Sequence, residues 1–174
     1  KLLILFSVFC YYISFTQIVN FPDPNFKEAL LNHDLHGGVV IDTNNDGEIQ
    51  ITEAESIVET IMVPGIFLEE KIVDLTGIEA FINITGLNCG GNEISNLNLS
   101  NNSFLLSLGC FDNQISSINI GNCPELESLY CQENQLNDID ISSNPNLQNI
   151  NCSGNQLLNL DISNNPNLQM LHCS

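Results

Sequence analysis

The residues best spaced for chemistry lie between Asp42 and Glu53, where the chain reads Asp42-Thr-Asn44-Asn-Asp46-Gly47-Glu48-Ile49-Gln50-Ile-Thr-Glu53. This satisfies the pattern D-x-[DN]-x-[DN]-G-x5-E of calcium-binding loops at every position. Alternate side chains Asp42, Asn44 and Asp46 can turn their oxygens to one side of a tight loop, and Gly47 permits the bend. The backbone carbonyl of Glu48 is the next donor. Gln50 follows, directly or through water, and Glu53 closes the shell with a bidentate carboxylate. Ile49 faces the core. The expected cofactor is Ca2+ in a fixed structural role, stiffening the segment around it. There is one such loop, and no Met-rich groove through which a sensor would grip a target.

No other stretch carries recognisable catalytic spacing. The sequence has no G-x-S-x-G, no H-E-x-x-H and no Gly-rich phosphate loop, so the chain is not read as an enzyme. Seven cysteines need a separate reading. Five of them, Cys89, Cys110, Cys131, Cys152 and Cys173, recur at one spacing; Cys10 and Cys123 stand outside that series. In an exported chain, irregular cysteines would suggest disulfides. A strict series instead suggests small buried hydrophobes in one repeated slot, and no C-x-x-C pair points to zinc.

The charge is lopsided: 3 Lys+Arg against 21 Asp+Glu give −18, with no arginine. Phosphate binding needs clustered basic residues, so nucleic acid is excluded as a partner and an anionic membrane surface is disfavoured.

The cysteine series belongs to a unit of 21 residues that repeats from Leu87, Leu108, Leu129, Ile150 and Leu171. Each unit places Cys two residues after its start and Asn three further on, at Asn92, Asn113, Asn134 and Asn155. Paired apolar positions follow, such as Ile118/Ile120 and Ile139/Ile141. This period and the L-x-x-L-x-L-x-x-N-x-L text mark leucine-rich repeats. Strand alternation turns Leu129 and Cys131 inward and Ser128, Tyr130 and Gln132 outward. Stacked coils then share one core, because a single coil cannot bury its own apolar side. Each Asn amide is expected to bond backbone groups where the chain leaves the strand.

The outward strand positions form one sheet face. Its large rings, Phe111, Tyr130 and His172, are the candidate anchors of a ligand-binding face. Asp140 and Asp161 occupy one repeat position between apolar neighbours and are read as solvated.

Residues 1–16 are read as a secretory signal peptide: Lys1, a short apolar run from Leu2 to Phe15, and cleavage near Thr16/Gln17. Phe9 is too bulky for a lipoprotein site at Cys10. At about 14 residues the run is short of the roughly 20 that span a bilayer, and no membrane span is expected after signal removal. The expected location is secreted or cell surface. Residues 17–64 read as a small helical cap holding the calcium loop, with Phe26, Ala29, Leu30 and His33 on one helical face and a second helix over TEAESIVET. Residues 65–86 read as a degenerate first repeat with Ile66 and Leu68 in its strand slots. Residues 87–174 are the repeats, expected to continue in a longer protein. The predicted fold is thus an α/β leucine-rich-repeat solenoid behind a helical, EF-hand-like cap.

With both motifs placed, the chain resembles secreted leucine-rich-repeat proteins of the Bacteroidetes, and more distantly internalins. VNFPDPNFKEALL, DTNNDGEIQITEAE, DLTGIEAF and the L-x-C-x-x-N-x-L-x-x-L-D-I-S-x-N-P-x-L repeat carry the resemblance. Cys123 replaces the Asn found at 102, 144 and 165, and Gly121 replaces a Ser. The resemblance implies a surface or secreted interaction protein, often with a C-terminal sorting domain. The expected function is a non-enzymatic binding or adhesion module for a protein or glycan ligand at the cell surface. The alternatives are a non-catalytic targeting or scaffold region of a larger secreted enzyme, and a purely structural spacer.

Overall fold

The structure, a computed structural model, describes residues 17–174. The expected signal segment 1–16 lies outside the described residues. Asp23 starts the first helix, α1 (Pro24–Leu31), by accepting hydrogen bonds from the N–H groups of Asn25 and Phe26 at 2.8 and 3.3 Å. Pro24, whose missing N–H has no partner to lose, occupies the first turn. Phe26, Ala29 and Leu30 are buried. A short 3-10 turn (His33–His36) follows and ends at Gly37, whose φ of 85° suits glycine. His33 is buried as predicted. Its Nδ1 lies 3.0 Å from the Val39 carbonyl and its Nε2 accepts the Met62 N–H at 2.9 Å, so the ring ties the cap to the next strand.

The helix after the loop, α2 (Ile51–Ser56), is shorter than expected. Ile57 turns extended, and Thr60–Met62 becomes the strand β1. That strand changes the reading of the first coil. Ile61, not Ile66, is the register partner of Leu87. Ile66 is 78% exposed, and Gly65–Phe67 forms a 3-10 turn. Counting back one period failed because the first coil is longer than the others. It makes room for the Ile72, Leu75, Ile78, Phe81 and Ile84 series, all buried.

The remaining strands are β2 (Gly86–Asn88), β3 (Leu97–Asn98), β4 (Ser107–Gly109), β5 (Ile118–Asn119), β6 (Ser128–Tyr130), β7 (Asn149–Asn151) and β8 (Met170–His172). A six-stranded parallel sheet runs β1-β2-β4-β6-β7-β8, and β3 pairs with β5 in a second sheet. From Leu87 onward the register steps by one repeat per strand: Leu87, Leu108, Leu129, Ile150, Leu171. The first four are buried, as are Cys89, Cys110, Cys131 and Cys152 behind them. Each buried Leu or Ile contributes about 1.5–3 kcal/mol of hydrophobic stabilisation.

Two columns of asparagine lock the coils together. Asn134 Nδ2 donates to the Cys131 carbonyl of its own coil at 3.2 Å and the Cys110 carbonyl of the preceding coil at 2.9 Å. Its Oδ1 accepts the Ile115 N–H at 2.9 Å. Asn92, Asn113 and Asn155 repeat the pattern. The expected bonds at the bend are therefore also bonds between coils. The second column, Asn102, Asn144 and Asn165, donates to two carbonyls of the preceding coil at each step. Cys123 takes that place in one coil, its thiol 3.6 Å from the Asn102 carbonyl.

Candidate functional site

The loop residues are drawn together by their own backbone. Asp42 accepts the N–H of Asp46 at 3.2 Å and of Gly47 at 2.9 Å, Asn44 accepts that of Asp46 at 2.9 Å, and Asp46 accepts that of Glu48 at 2.9 Å. Asn45 and Gly47 take the left-handed backbone that this tight path requires. The bond from the Glu48 N–H holds the Asp46 carboxyl below its usual range, helped by the amides of Gln50 and Asn44 and the Lys27 charge; slight burial opposes it.

Glu53, 7% exposed, accepts the N–H and hydroxyl of Thr43 at 2.8 Å each, and the Gln50 N–H at 3.0 Å. Gln50 donates to Asp46 and accepts from Asn44. The Glu48 side chain turns to Lys27 at 2.7 Å, leaving its carbonyl as its remaining donor. Asp42, Asn44, Asp46, Gln50 and Glu53 are thus one network. Their donors are all oxygens, the chemistry a hard divalent cation takes. The carboxylates here are satisfied by N–H and O–H groups, and among the described residues no three acidic, His or Cys side chains converge on one point. Behind the loop, Ile49 is fully buried, and its carbonyl accepts the Val19 N–H at 2.8 Å.

The sheet face is built from three outward rows. Gly86, Ser107, Ser128, Asn149 and Met170 align in one; Asn88, Gly109, Tyr130, Asn151 and His172 in the next. Gly90, Phe111, Gln132 and Ser153 follow two residues on. Tyr130 and His172 therefore share a row with Asn151 between them, both exposed. Phe111 behaves differently. Its ring lies flat over Gly90, where a Cβ would stand 2.5 Å from it, and it is half-buried. Of the three expected anchors, Tyr130 and His172 are exposed and Phe111 is half-buried, and Tyr130 lies in a central strand of the face.

Beneath that face the thiols form a continuous column. Burial pushes Cys89 up to about 12, and raises Cys110 and Cys131 further with help from neighbouring thiols. Cys152 is raised by the same cause. All six cysteines among the described residues are free, and Cys173 is exposed.

No family model and no curated protein matches this sequence. Solved structures do. The functional domain of InlJ from Listeria monocytogenes, described as including a cysteine ladder, aligns at a TM-score of 0.75 and 31% identity, over 90% of this chain and 33% of that one. The internalin InlF of Listeria monocytogenes strain 4b F2365 aligns at 0.70 and 28%, over 91% and 46%. The fold is that of the internalin leucine-rich-repeat solenoid. This chain spans a third of the InlJ chain and under half of the InlF chain.

Within this internalin-like frame, several structural residues escaped the sequence reading. Asp23 caps α1 with one oxygen and with the other accepts the N–H groups of Val73 and Asp74 at 2.7 and 3.0 Å, joining cap to first coil. Lys71 donates to the carbonyls of Gly65 and Gly91, both at 2.9 Å. The Asp-Pro pair was the available signal for the cap; nothing local announced the contacts with Val73, Asp74 and Gly91. A repeat position four residues after each strand leucine needs positive φ: Gly91 (73°), Asp112 (52°), Glu133 (55°) and Gly154 (66°). Glycine fills it in the first and last of these four coils, Asp and Glu in the two between.

Proposed function

We propose that this chain is a non-enzymatic, extracellular binding or adhesion module, secreted or held at the cell surface, that takes a protein or glycan ligand on its strand face. The observation that carries this reading is the face itself: parallel strands in strict register present small, polar side chains to solvent around an exposed Tyr130. Solenoids offer extended surfaces of this kind for recognition. Two clefts among the described residues, of about 240 and 230 Å³, lie at the cap, one lined by Asn25, Glu28, Leu68 and Glu69 and the other by Ile18, Ile51, Gly77 and Glu79.

Calcium, in this reading, is held by Asp42, Asn44, Asp46, the Glu48 carbonyl, Gln50 and Glu53, and stiffens the cap. Affinity in the range of extracellular modules, on the order of 0.1–1 mM, is expected. The experiment is a screen of the immobilised protein against glycan and protein arrays in millimolar calcium. A ligand retained by the wild type and lost on Tyr130→Ala supports the reading. Absence of any ligand contradicts it and leaves a spacer.

A further inference from the structure

Two large apolar side chains break the pattern of the array. Phe104 and Leu106 are 56% and 41% exposed, in the stretch that leads into β4. Leu105 between them is fully buried, so the two flanking side chains turn outward together. The later coils fill these two repeat positions with polar residues: Glu125 and Glu127, Asn146 and Gln148, Asn167 and Gln169. The coil before them carries Asn83 and Thr85. The repeat therefore does not require apolar groups here, and adjacent exposed apolar side chains mark a contact surface.

The patch has a defined rim. Toward the cap, the Leu106 N–H donates to the Thr85 carbonyl at 2.8 Å, and the Thr85 hydroxyl to the Val58 carbonyl at 2.9 Å, which sets the exposed Val58 on the same flank. Glu59 follows it, its carboxylate accepting the Val58 N–H at 3.2 Å. On the other side, the Glu127 N–H donates to the Leu106 carbonyl at 2.8 Å, so Glu127 is the neighbour of Leu106 in the next coil. Glu125 holds the repeat position of Phe104 in that coil, and both glutamates are exposed. No Lys or Arg follows Lys71 in the sequence, and Lys71 is bound to the Gly65 and Gly91 carbonyls beyond the opposite ends of the strands.

That rim selects the occupant. A second copy would bring a further −18 against it, and an anionic lipid surface would be repelled in the same way. A segment with apolar side chains flanked by Lys or Arg meets complementary charge. We propose that the flank leading into β4 docks a basic amphipathic protein segment, whose apolar side chains pack on Phe104 and Leu106 and whose cations face Glu125 and Glu127. This surface lies before the strands, apart from the outward rows that carry Tyr130, and gives the module a second area of contact.

The test is fluorescence anisotropy of a labelled peptide of leucine and lysine, its leucines on one helical face, at moderate salt. One control peptide has serine in place of leucine, the other glutamate in place of lysine. The variant F104N/L106Q introduces the residue types that stand at Asn146 and Gln148, which the repeat accommodates. It is expected to weaken binding of the leucine–lysine peptide about tenfold or more, whereas I66Q/V73Q, which removes two exposed apolar side chains elsewhere, should weaken it less than about twofold. E125Q/E127Q is expected to weaken it about threefold or more, and D138N/D140N/D161N, which removes three exposed charges outside the strand face and this flank, less than about twofold. Neither control peptide should bind, and Tyr130→Ala should leave the affinity unchanged. Matching thermal midpoints for F104N/L106Q and I66Q/V73Q establish that both are folded. Equal weakening by those two variants, an equal loss in Tyr130→Ala, or no binding by the wild type would overturn the proposal. So would a dimer in sedimentation that F104N/L106Q dissociates, or flotation with phosphatidylcholine vesicles that F104N/L106Q abolishes, since the flank would then serve a second copy or a lipid surface.

Discussion

At the scale of single residues, the inter-coil asparagines carry more than their size suggests. Asn134 makes bonds to two coils while 8% exposed; truncating it strands the buried Ile115 N–H and removes one of the two asparagine bonds on each of the Cys110 and Cys131 carbonyls. Asn134→Ala is expected to destabilise the protein by about 1–3 kcal/mol, the cost of one buried N–H left without a partner. Urea unfolding measures this; a loss under about 0.5 kcal/mol would mean the ladder is not holding the coils. The thiol column makes a second statement, on pH. Cys89 is raised from 9.0 to about 12 by burial, so the folded state favours the protonated thiol. That contribution is complete below the unfolded value near 9 and is lost as pH rises toward 12. Stability should therefore fall between about pH 9 and 12, and Cys89→Val should make the fall shallower. An unchanged slope would contradict the burial assigned to that slot.

At the scale of elements, the junction between cap and array turns on Asp23. One carboxylate caps α1 and holds two N–H groups of the first coil. Asp23→Ala is expected to cost about 1–3 kcal/mol, a lost cap of about 1 kcal/mol plus two part-buried bonds to the first coil. Proteolysis should then cut first near residues 20–40. Equal resistance in variant and wild type would show that the cap docks without this carboxylate. Calcium acts on the same element. The thermal midpoint of the wild type should rise in millimolar calcium over chelator, by a few degrees. The shift should vanish in Asp42→Ala/Asp46→Ala, and an identical shift in that variant would remove the loop from the calcium account.

The regular coils were legible in the sequence because strand alternation and one fixed period act on every repeat. Leu87, Cys89 and their successors fell where they were expected. The hydrogen-bonded closeness of Asp42, Asn44, Asp46, Gln50 and Glu53 was legible in their spacing. The first strand was not, since Ile66 keeps the period while Ile61 makes the pairing, and a longer coil breaks any count made from Leu87. Phe111 and Tyr130 occupy outward positions in adjacent rows. The contact of Phe111 with Gly90, which leaves that ring half-buried, is not written in the alternation of the sequence.

At the scale of the whole molecule, the chain carries a net charge of −18, with 13 of its 21 acidic residues before Leu87 and 8 in the repeats. Self-repulsion of this kind opposes the compact state and is screened over about 10 Å at 0.1 M salt. Raising sodium chloride from 10 to 300 mM should lift the thermal midpoint by a few degrees, in calorimetry run with chelator present; a fall would place the dominant charge terms in attractive pairs instead. The strand face, in a frame shared with InlJ and InlF, presents small polar residues around the exposed Tyr130. The most direct measurement on that face is the affinity of an array-identified ligand for wild type, Tyr130→Ala and D138N/D140N/D161N, by biolayer interferometry in calcium. A loss of about tenfold or more in Tyr130→Ala alone is the expected result. Equal affinity across all three would place the ligand elsewhere and contradict a binding site on the strand face.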